Sequence, residues 1–189
     1  MALTQEKIIL AALALIDTTG KFSMRKLAAS LAVDPMAVYY YFPNKEAVMV
    51  AMMQTVYQQL SVPQVDDWRD QVRLFAQAYL ELASYHANLI FQVASDVDLA
   101  AHASLDANEV LFAALSRAGL TSENVINAVG VIVDYLHGYL LGQPNQTDHH
   151  TILQLIDDAH PVQKRVYTEV GNQPVFGLEI IIKGIETLM

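Results

Sequence analysis

The chain has 189 residues, of which 53 % are apolar and 16 % charged, the composition of a folded globular protein rather than a disordered one. It contains no cysteine, which excludes disulfides and thiolate metal sites. The first residues lack the basic start and cleavage site of a signal peptide, and no apolar run is long enough to span a bilayer. We therefore expect a cytoplasmic protein that makes no membrane contact.

The net charge of −9 is distributed unevenly along the chain. Residues 1–60 carry five basic and four acidic groups, whereas residues 61–189 carry six basic and sixteen acidic groups. An acidic surface repels the phosphates of DNA, so the second part is a poor partner for nucleic acid. Any contact with DNA is expected within the first sixty residues.

Helical periodicity dominates the chain and predicts an all-α fold. The first helix is predicted over residues 5–18, with Thr4 as its N-cap and Gly20 just after its end. Ser23 is expected to cap a second, short helix over residues 24–31.

A third helix is predicted to begin at Asp34-Pro35, since Asp is a favoured N-cap and Pro suits the first helical position. It should be short and stop near Phe42, because a proline follows. Asn44 is expected to cap a longer fourth helix, over residues 45–60.

The rest of the chain is predicted to form a second, larger helical domain. A loop is expected at residues 143–150, where Pro, Asn, Thr and Asp cluster. The sequence thus predicts a first helical domain over residues 1–48, a connecting helix to about residue 61, and a larger helical domain over residues 62–189. Further helices are predicted at residues 68–85, 88–96, 100–118, 122–141, 151–158, 161–170 and 175–189.

Two short helices joined by a tight turn and preceded by a longer helix make a helix-turn-helix of the three-helix type. The second helix of the pair would enter the major groove, with Val38 and Phe42 facing inward because they lie four residues apart. Consecutive helical residues point about 100° apart, so Tyr39, Tyr40 and Tyr41 cannot share one buried face. We expect them to face the groove and the phosphates. Packing of these rings against a helical core remains the alternative, and for Tyr41 the two are equally favoured.

The stretch SMRKLAASLAVDPMAVYYYFPNKEAVMVAM closely resembles the helix-turn-helix of the tetracycline-repressor (TetR) family, and the match covers residues 4–52. The places of the family's recurrent pattern are held here by Tyr39, Tyr41, Phe42, Lys45, Glu46 and Val48. The resemblance implies that Arg25, Pro35, Met36, Ala37 and Tyr40 face the bases or the groove floor. It implies phosphate-side positions for Ser23, Tyr39, Tyr41 and Lys45. Three of the base-side residues, Pro35, Met36 and Ala37, have side chains without hydrogen-bonding groups, so shape readout is expected to contribute.

The stretch FGLEIIIKGIE (176–186) resembles the last helix of the tetracycline-repressor subgroup, which in that family pairs with the same helix of a second subunit. Its apolar stripe and the glycines of the preceding long helix predict a four-helix dimer interface, and an ordinary contact within one chain is the alternative. The predicted interface residues are Gly130, Gly138, Gly142, Leu178, Ile181, Ile182 and Ile185.

A ligand pocket is expected between the helices of the second domain, mostly apolar with a few polar groups. Asp134 interrupts an apolar run, and if buried it would need a partner such as His137 or a cationic ligand. Each candidate is individually more typical of a core or surface position. The candidates are Tyr79, Tyr85, His86, Phe91, His102, Asn108, Phe112, Asp134, Tyr135 and His137.

The resemblance implies a repressor that binds a palindromic DNA operator as a homodimer and is released by a small-molecule inducer, without a cofactor. An enzyme is the main alternative, but no Gly-rich phosphate loop or nucleophile elbow occurs. His149 and His150, beside Asp148, lie in a predicted loop without a second ligand set, so no metal site is expected. A third possible function is a helical interaction module with a degenerate helix-turn-helix.

Overall fold

The computed structural model describes residues 2–94, 97–142, 154–156, 158–170 and 176–189. Within these residues the chain forms helices and turns and no strand, which confirms the predicted all-α fold. None of the described helices combines the length and hydropathy that crossing a bilayer requires. The helices are α1 (Gln5–Thr19), α2 (Met24–Ser30), α3 (Pro35–Tyr41), α4 (Lys45–Tyr57), α5 (Trp68–Tyr85), α6 (Ala87–Ala94), α7 (Val97–Arg117), α8 (Ser122–Gly142), α9 (Pro161–Val170) and α10 (Phe176–Glu186).

Side-chain caps define the ends of the first helices as predicted. The Thr4 hydroxyl accepts the Lys7 N–H at the start of α1, and the Ser23 hydroxyl accepts the Lys26 N–H at the start of α2. Gly20 ends α1 with φ 72°, a left-handed conformation that glycine adopts without the steric cost of a Cβ. These local signals fix where the first two helices begin and how α1 ends.

The short helix α3 also has the predicted boundaries. The Asp34 carboxylate accepts the Met36 N–H at 2.8 Å, and α3 stops at Tyr41 because Phe42 has an extended backbone. The Asn44 side chain then accepts the Ala47 N–H at 2.8 Å and starts α4. Helix α4 ends at Tyr57, so the prediction that it continues to about residue 60 is slightly wrong.

Helices α1 to α3 form a small unit around a shared core. Ile16, Leu27 and Val38 are completely buried and Phe42 nearly so, which confirms the inward face predicted for α3. Helix α2 packs on α3, and α1 packs on both α2 and α4. The inward face of α3 is thereby anchored, and its opposite face is left on the surface.

Helix α7 lies at the centre of the larger unit, where it contacts α4, α5, α6 and α8. The connecting helix α4 buries Met52, Met53 and Val56 and packs extensively on α7. The buried apolar residues form one cluster that extends from Ile8 in α1 to Ile185 in α10. The core is therefore continuous through α4, and a division between domains at residue 48 stays a prediction.

Candidate DNA interface and ligand site

The outer face of α3 carries large side chains that the described part of the chain leaves largely exposed. Tyr40 is 85 % exposed, Met36 72 % and Tyr39 42 %, whereas Val38 between them is fully buried. Because Val38 anchors the helix, the three exposed side chains are held at a fixed angle to the core. Such a face can make apolar contacts with thymine methyl groups and hydrogen bonds with base edges and phosphates.

Tyr41 has a different environment from its two neighbours. It is half-buried, and its hydroxyl donates to the Leu3 carbonyl at 2.8 Å, which ties α3 to the segment preceding α1. Its ring meets the Tyr40 ring edge-on, with centroids 5.3 Å apart. While this bond holds, the hydroxyl proton is not available to a phosphate. Within the chain Tyr41 therefore supports α3, and its contact with a phosphate stays a prediction.

The remaining residues predicted to meet DNA surround this face. Arg25 is exposed near the start of α2, and Lys45 is exposed at the start of α4, with its ammonium 5.3 Å from the centre of the Phe22 ring. Ser23 is exposed, although its hydroxyl already caps α2. Pro35 and Ala37 are half-buried in the first turn of α3. Their contacts with DNA stay a prediction.

A polar junction between α6 and the end of α1 was not anticipated from the sequence. The Asn88 amide donates to the carbonyls of Ile16 and Asp17, both at 3.2 Å, and the Gln92 amide donates to the Gly20 carbonyl. The Ile16 carbonyl already accepts the Gly20 N–H, so Asn88 adds a second hydrogen bond there. At Asp17 it supplies a partner for one of the last carbonyls of the helix, which generally lack intrahelical partners. This arrangement fastens the small N-terminal unit to the larger one.

His86 belongs to the same junction. Its Nδ1 lies 2.9 Å from one carboxylate oxygen of Asp17, and the other oxygen, Oδ1, is buried without a hydrogen-bond partner among the described residues. The nearby candidates Tyr85 and Phe91 are 71 % and 54 % exposed. None of these three residues lines a described cavity, and their contact with a ligand stays a prediction. The side chain of His102 lies outside the described residues.

Tyr79 and His137 meet in the core with a third residue that the sequence did not reveal. The Tyr79 hydroxyl lies 2.7 Å from His137 Nε2 and 3.5 Å from the Tyr57 hydroxyl. Burial lowers the pKa of His137 below its usual value and raises the pKa of both tyrosines. All three side chains are therefore neutral at pH 7, and Tyr79 can donate to Nε2 while it accepts from Tyr57. These two hydrogen bonds connect Tyr57 of α4, Tyr79 of α5 and His137 of α8.

Three other ligand candidates, Asn108, Phe112 and Asp134, line one groove between α7 and α8. Its volume is about 670 Å³, within the range of small-molecule sites. Asp134 is exposed at this groove and is not the buried carboxylate that would have required His137 as a partner. Leu105 and Glu109 also line the groove and were missed, although their spacing of four residues would place them on one face of a helix.

Tyr135 lies on another side of α8, beside a cavity of about 420 Å³ between α5, α8 and α10. Arg73 and Glu179 form a two-bond ion pair at this cavity, at 2.8 and 2.9 Å. A Cβ added at Gly177 would overlap the far end of the Tyr135 side chain, so the close approach of α10 to α8 here favours glycine unless that ring moves. The contact is within one chain.

The apolar stripe of α10 packs inside the chain. Leu178, Ile182 and Ile185 are buried at 1–4 % exposure, since α10 lies against α8, and Ile181 is half-buried. These three side chains are therefore packed within the chain, and their contact with a second subunit stays a prediction.

The outward sides of the same two helices are open. A Cβ at Gly138 would meet no atom within 4 Å, and Gly142 is the last residue of α8, whereas Gly130 lies at the groove between α7 and α8. Val131 on α8 and Ile180 on α10 are exposed apolar side chains. A second subunit, if it binds these helices, would meet this surface.

In the part of the chain that the structure describes, no group of three or more His, Asp or Glu side chains is placed so that it could hold a metal ion. The loop predicted over residues 143–150, with Asp148, His149 and His150, lies outside the described residues, as does half of the helix predicted over residues 151–158.

Two family models match the chain. Residues 8–52 match the family of bacterial regulatory proteins of the tetR family, and residues 62–189 match the tetracyclin repressor-like C-terminal domain. The chain is 30 % identical over 140 residues to an HTH-type transcriptional regulator of Saccharopolyspora erythraea, covering 72 % of this chain and 59 % of that protein. It is 26 % identical over 214 residues to the HTH-type transcriptional repressor DrrR1 of Streptomyces coeruleorubidus, covering 99 % and 78 %. The chain thus spans less than two thirds of the first of these relatives.

Solved structures share the fold over nearly the whole chain. Apo ActR of Streptomyces coelicolor superposes with a TM-score of 0.83 at 22 % identity, covering 99 % of this chain and 97 % of ActR. BioQ in complex with its double-stranded DNA operator gives a TM-score of 0.75 at 20 % identity, covering 98 % and 99 %. At these identities the likeness concerns the fold alone. The two family models together span most of the sequence, and the chain therefore belongs to the tetracycline-repressor (TetR) family.

Proposed function

We propose that the protein is a homodimeric transcriptional repressor that binds a twofold-symmetric DNA operator in the cytoplasm and leaves it when a small molecule binds to residues 62–189. The observation that carries the proposal is the outer face of α3, where Met36, Tyr39 and Tyr40 are exposed although the helix is anchored by Val38. Exposed side chains of this size on an anchored helix favour a macromolecular contact. Family membership and the relative named as a repressor support the same function.

On DNA, α3 would lie in the major groove with Tyr40 and Met36 toward the base edges. Met36 can contact thymine methyl groups, and the Tyr40 hydroxyl can exchange hydrogen bonds with base edges. Tyr39 and Lys45 would hold phosphates on the groove walls, which sets register without reading sequence. Arg25 supplies the only guanidinium of the first sixty residues and is the candidate for a guanine contact.

A dimer is proposed because one α3 reads only one half-site. Two copies related by a twofold axis would place two reading helices on successive turns of a palindromic operator. The outward sides of α8 and α10 offer the surface, with Val131 and Ile180 as apolar contacts and Gly138 and Gly184 allowing close approach. The stripe that includes Leu178 is already used within the chain, so it would support this surface from behind.

Release would follow from differential binding. A ligand can shift the equilibrium between two conformations only by as much as its affinity for them differs. The N-terminal unit is connected to the larger unit by the packing of α4 on α7 and by the polar junction of α6 with α1. A ligand that prefers another arrangement of α6 or α7 would therefore change the spacing of the two reading helices.

The test is binding to the DNA upstream of the protein's own gene, measured by fluorescence anisotropy at several salt concentrations and by footprinting. We expect a twofold-symmetric footprint and an affinity that falls steeply with salt, with a slope of about −0.9 per phosphate contacted. The variant Tyr39→Ala/Lys45→Ala should bind more weakly and with a shallower slope. Tyr85→Ala is the matched control, since it removes a tyrosine that is 71 % exposed on α5, outside this face. Binding that is neither specific nor salt-dependent would favour a helical interaction module instead.

A further inference from the structure

We propose that the groove between α7 and α8 binds an organic monocation with an apolar, partly aromatic body, and that this is the ligand class to which the protein responds. The inference rests on the proposed function only in that the larger unit is taken to be a sensor. Binding to the groove is a separate property and is tested separately below.

The floor and walls of the groove are apolar. Phe112 of α7 and Val129 and Val133 of α8 line it, and Ile126 on α8 stands 62 % exposed beside it. Gly130 also lines it, and the space where a Cβ would lie there is open. With a volume of about 670 Å³, the groove is large enough for a small multi-ring molecule whose apolar surface these side chains would cover.

The negative charge of the groove favours cationic ligands over anionic ones of the same shape. Asp106, Glu109 and Asp134 line it, and the described lining includes no Lys, Arg or His. None of the three carboxylates forms an ion pair within the described residues. An anion would be repelled by all three, whereas a delocalised cation would gain attraction from each and could also rest on the face of Phe112.

The surroundings act in the same direction as the three carboxylates. Residues 61–189 carry ten more acidic than basic groups, so the potential around the larger unit attracts cations and raises their local concentration. The carboxylates are exposed at the rim and keep their hydration before binding. The protein therefore does not need to bury an unpaired charge to keep the groove ready for a cation.

The position of the groove also connects it with the N-terminal unit. Asp106 lines both this groove and a cavity of about 400 Å³ on the other side of α7, where Gln54 and Tyr57 of α4 form the opposite wall. A cation held by Asp106 would act on the helix that packs directly on α4. A ligand in the groove could therefore affect α4, the helix that connects the larger unit to the N-terminal unit.

The experiment compares tetraphenylphosphonium with tetraphenylborate, two ions of nearly the same shape and opposite charge, by isothermal titration calorimetry on the full-length protein. We expect tetraphenylphosphonium to bind in a one-site mode and tetraphenylborate to bind at least tenfold more weakly. The variant Glu109→Gln/Asp134→Asn should lose about tenfold in phosphonium affinity, which corresponds to about 1.4 kcal/mol. Glu81→Gln, an exposed carboxylate of α5, is the matched control and should bind as the wild type does.

Three outcomes would decide the inference. Equal binding of the two ions, or an unchanged affinity in the Glu109→Gln/Asp134→Asn variant with its thermal midpoint preserved, would overturn it. Phe112→Ala should weaken phosphonium binding even though it leaves the carboxylates in place, and an unchanged affinity there would also contradict the groove. Adding phosphonium to the protein–DNA complex tests the proposed function on its own. If phosphonium binds as expected but DNA is retained, the groove stands and ligand-induced release fails.

Discussion

The division of roles among the three consecutive tyrosines gives the sharpest single prediction. Tyr41→Phe removes one 2.8 Å hydrogen bond to the Leu3 carbonyl and leaves the ring in place. A hydrogen bond of this kind contributes about 1 kcal/mol net, so the free energy of unfolding should fall by that amount. For a protein of this size the thermal midpoint should fall by about 2–4 °C. Tyr40→Phe should change neither value measurably, because that side chain is 85 % exposed.

Operator affinity, in contrast to stability, should depend more on Tyr40 than on Tyr41. Tyr40→Ala should weaken operator binding by roughly 1–3 kcal/mol per half-site, the range of a base contact, with stability within about 0.5 kcal/mol of the wild type. Calorimetry and fluorescence anisotropy on the same preparations measure the two quantities. If Tyr40→Ala destabilises the fold as much as Tyr41→Phe does, or if Tyr41→Phe leaves the thermal midpoint unchanged, the assignment of reading and supporting roles is refuted.

Three further predictions concern the larger unit. Because burial lowers the pKa of His137, this side chain binds a proton more readily in the unfolded chain than in the folded one. The free energy of unfolding should therefore fall as the pH decreases below about 6.5. Urea unfolding of His137→Gln should show a weaker dependence of this free energy on pH in that window. Gly177→Ala would bring a Cβ against the far end of the Tyr135 side chain, which must move aside, and should lower stability in thermal unfolding by about 1 kcal/mol, the lower end of the range for overpacking; an unchanged thermal midpoint would contradict the close approach of α10 to α8. Asn88→Ala removes both hydrogen bonds to the end of α1 and should reduce the change in DNA affinity that a saturating ligand produces; an unaltered ligand response would exclude this junction from the coupling.

The helix boundaries of the N-terminal unit could be predicted because their determinants are local. Each cap joins residues two or three positions apart, as between Asp34 and Met36 or Asn44 and Ala47. Val38 and Phe42 could be assigned to the core for the same reason, since their spacing of four residues fixes them to one face. A proline after α3 limited the length of the reading helix. Local signals in the sequence were therefore sufficient to predict most of the helix-turn-helix.

The long-range contacts could not be obtained in that way. Tyr41 pairs with a carbonyl 38 residues away, and Asn88 pairs with one 72 residues away, and neither distance leaves a pattern in the sequence. The stripe of α10 was recognised as apolar, but an apolar stripe does not specify whether α8 of the same chain or a second subunit covers it. Leu178 and Ile182 are covered within the chain. The candidate ligand residues lie at several different places in the structure for the same reason. Residue type alone does not show which helix faces pack against each other.

Footprinting and anisotropy on the DNA upstream of the protein's own gene test the central claim most directly. The account predicts protection of a twofold-symmetric site by two copies of the chain, a steep loss of affinity with salt, and a loss of binding in Tyr40→Ala while Tyr85→Ala binds normally. Protection by a single copy without symmetry, or equal binding by the two tyrosine variants, would contradict it.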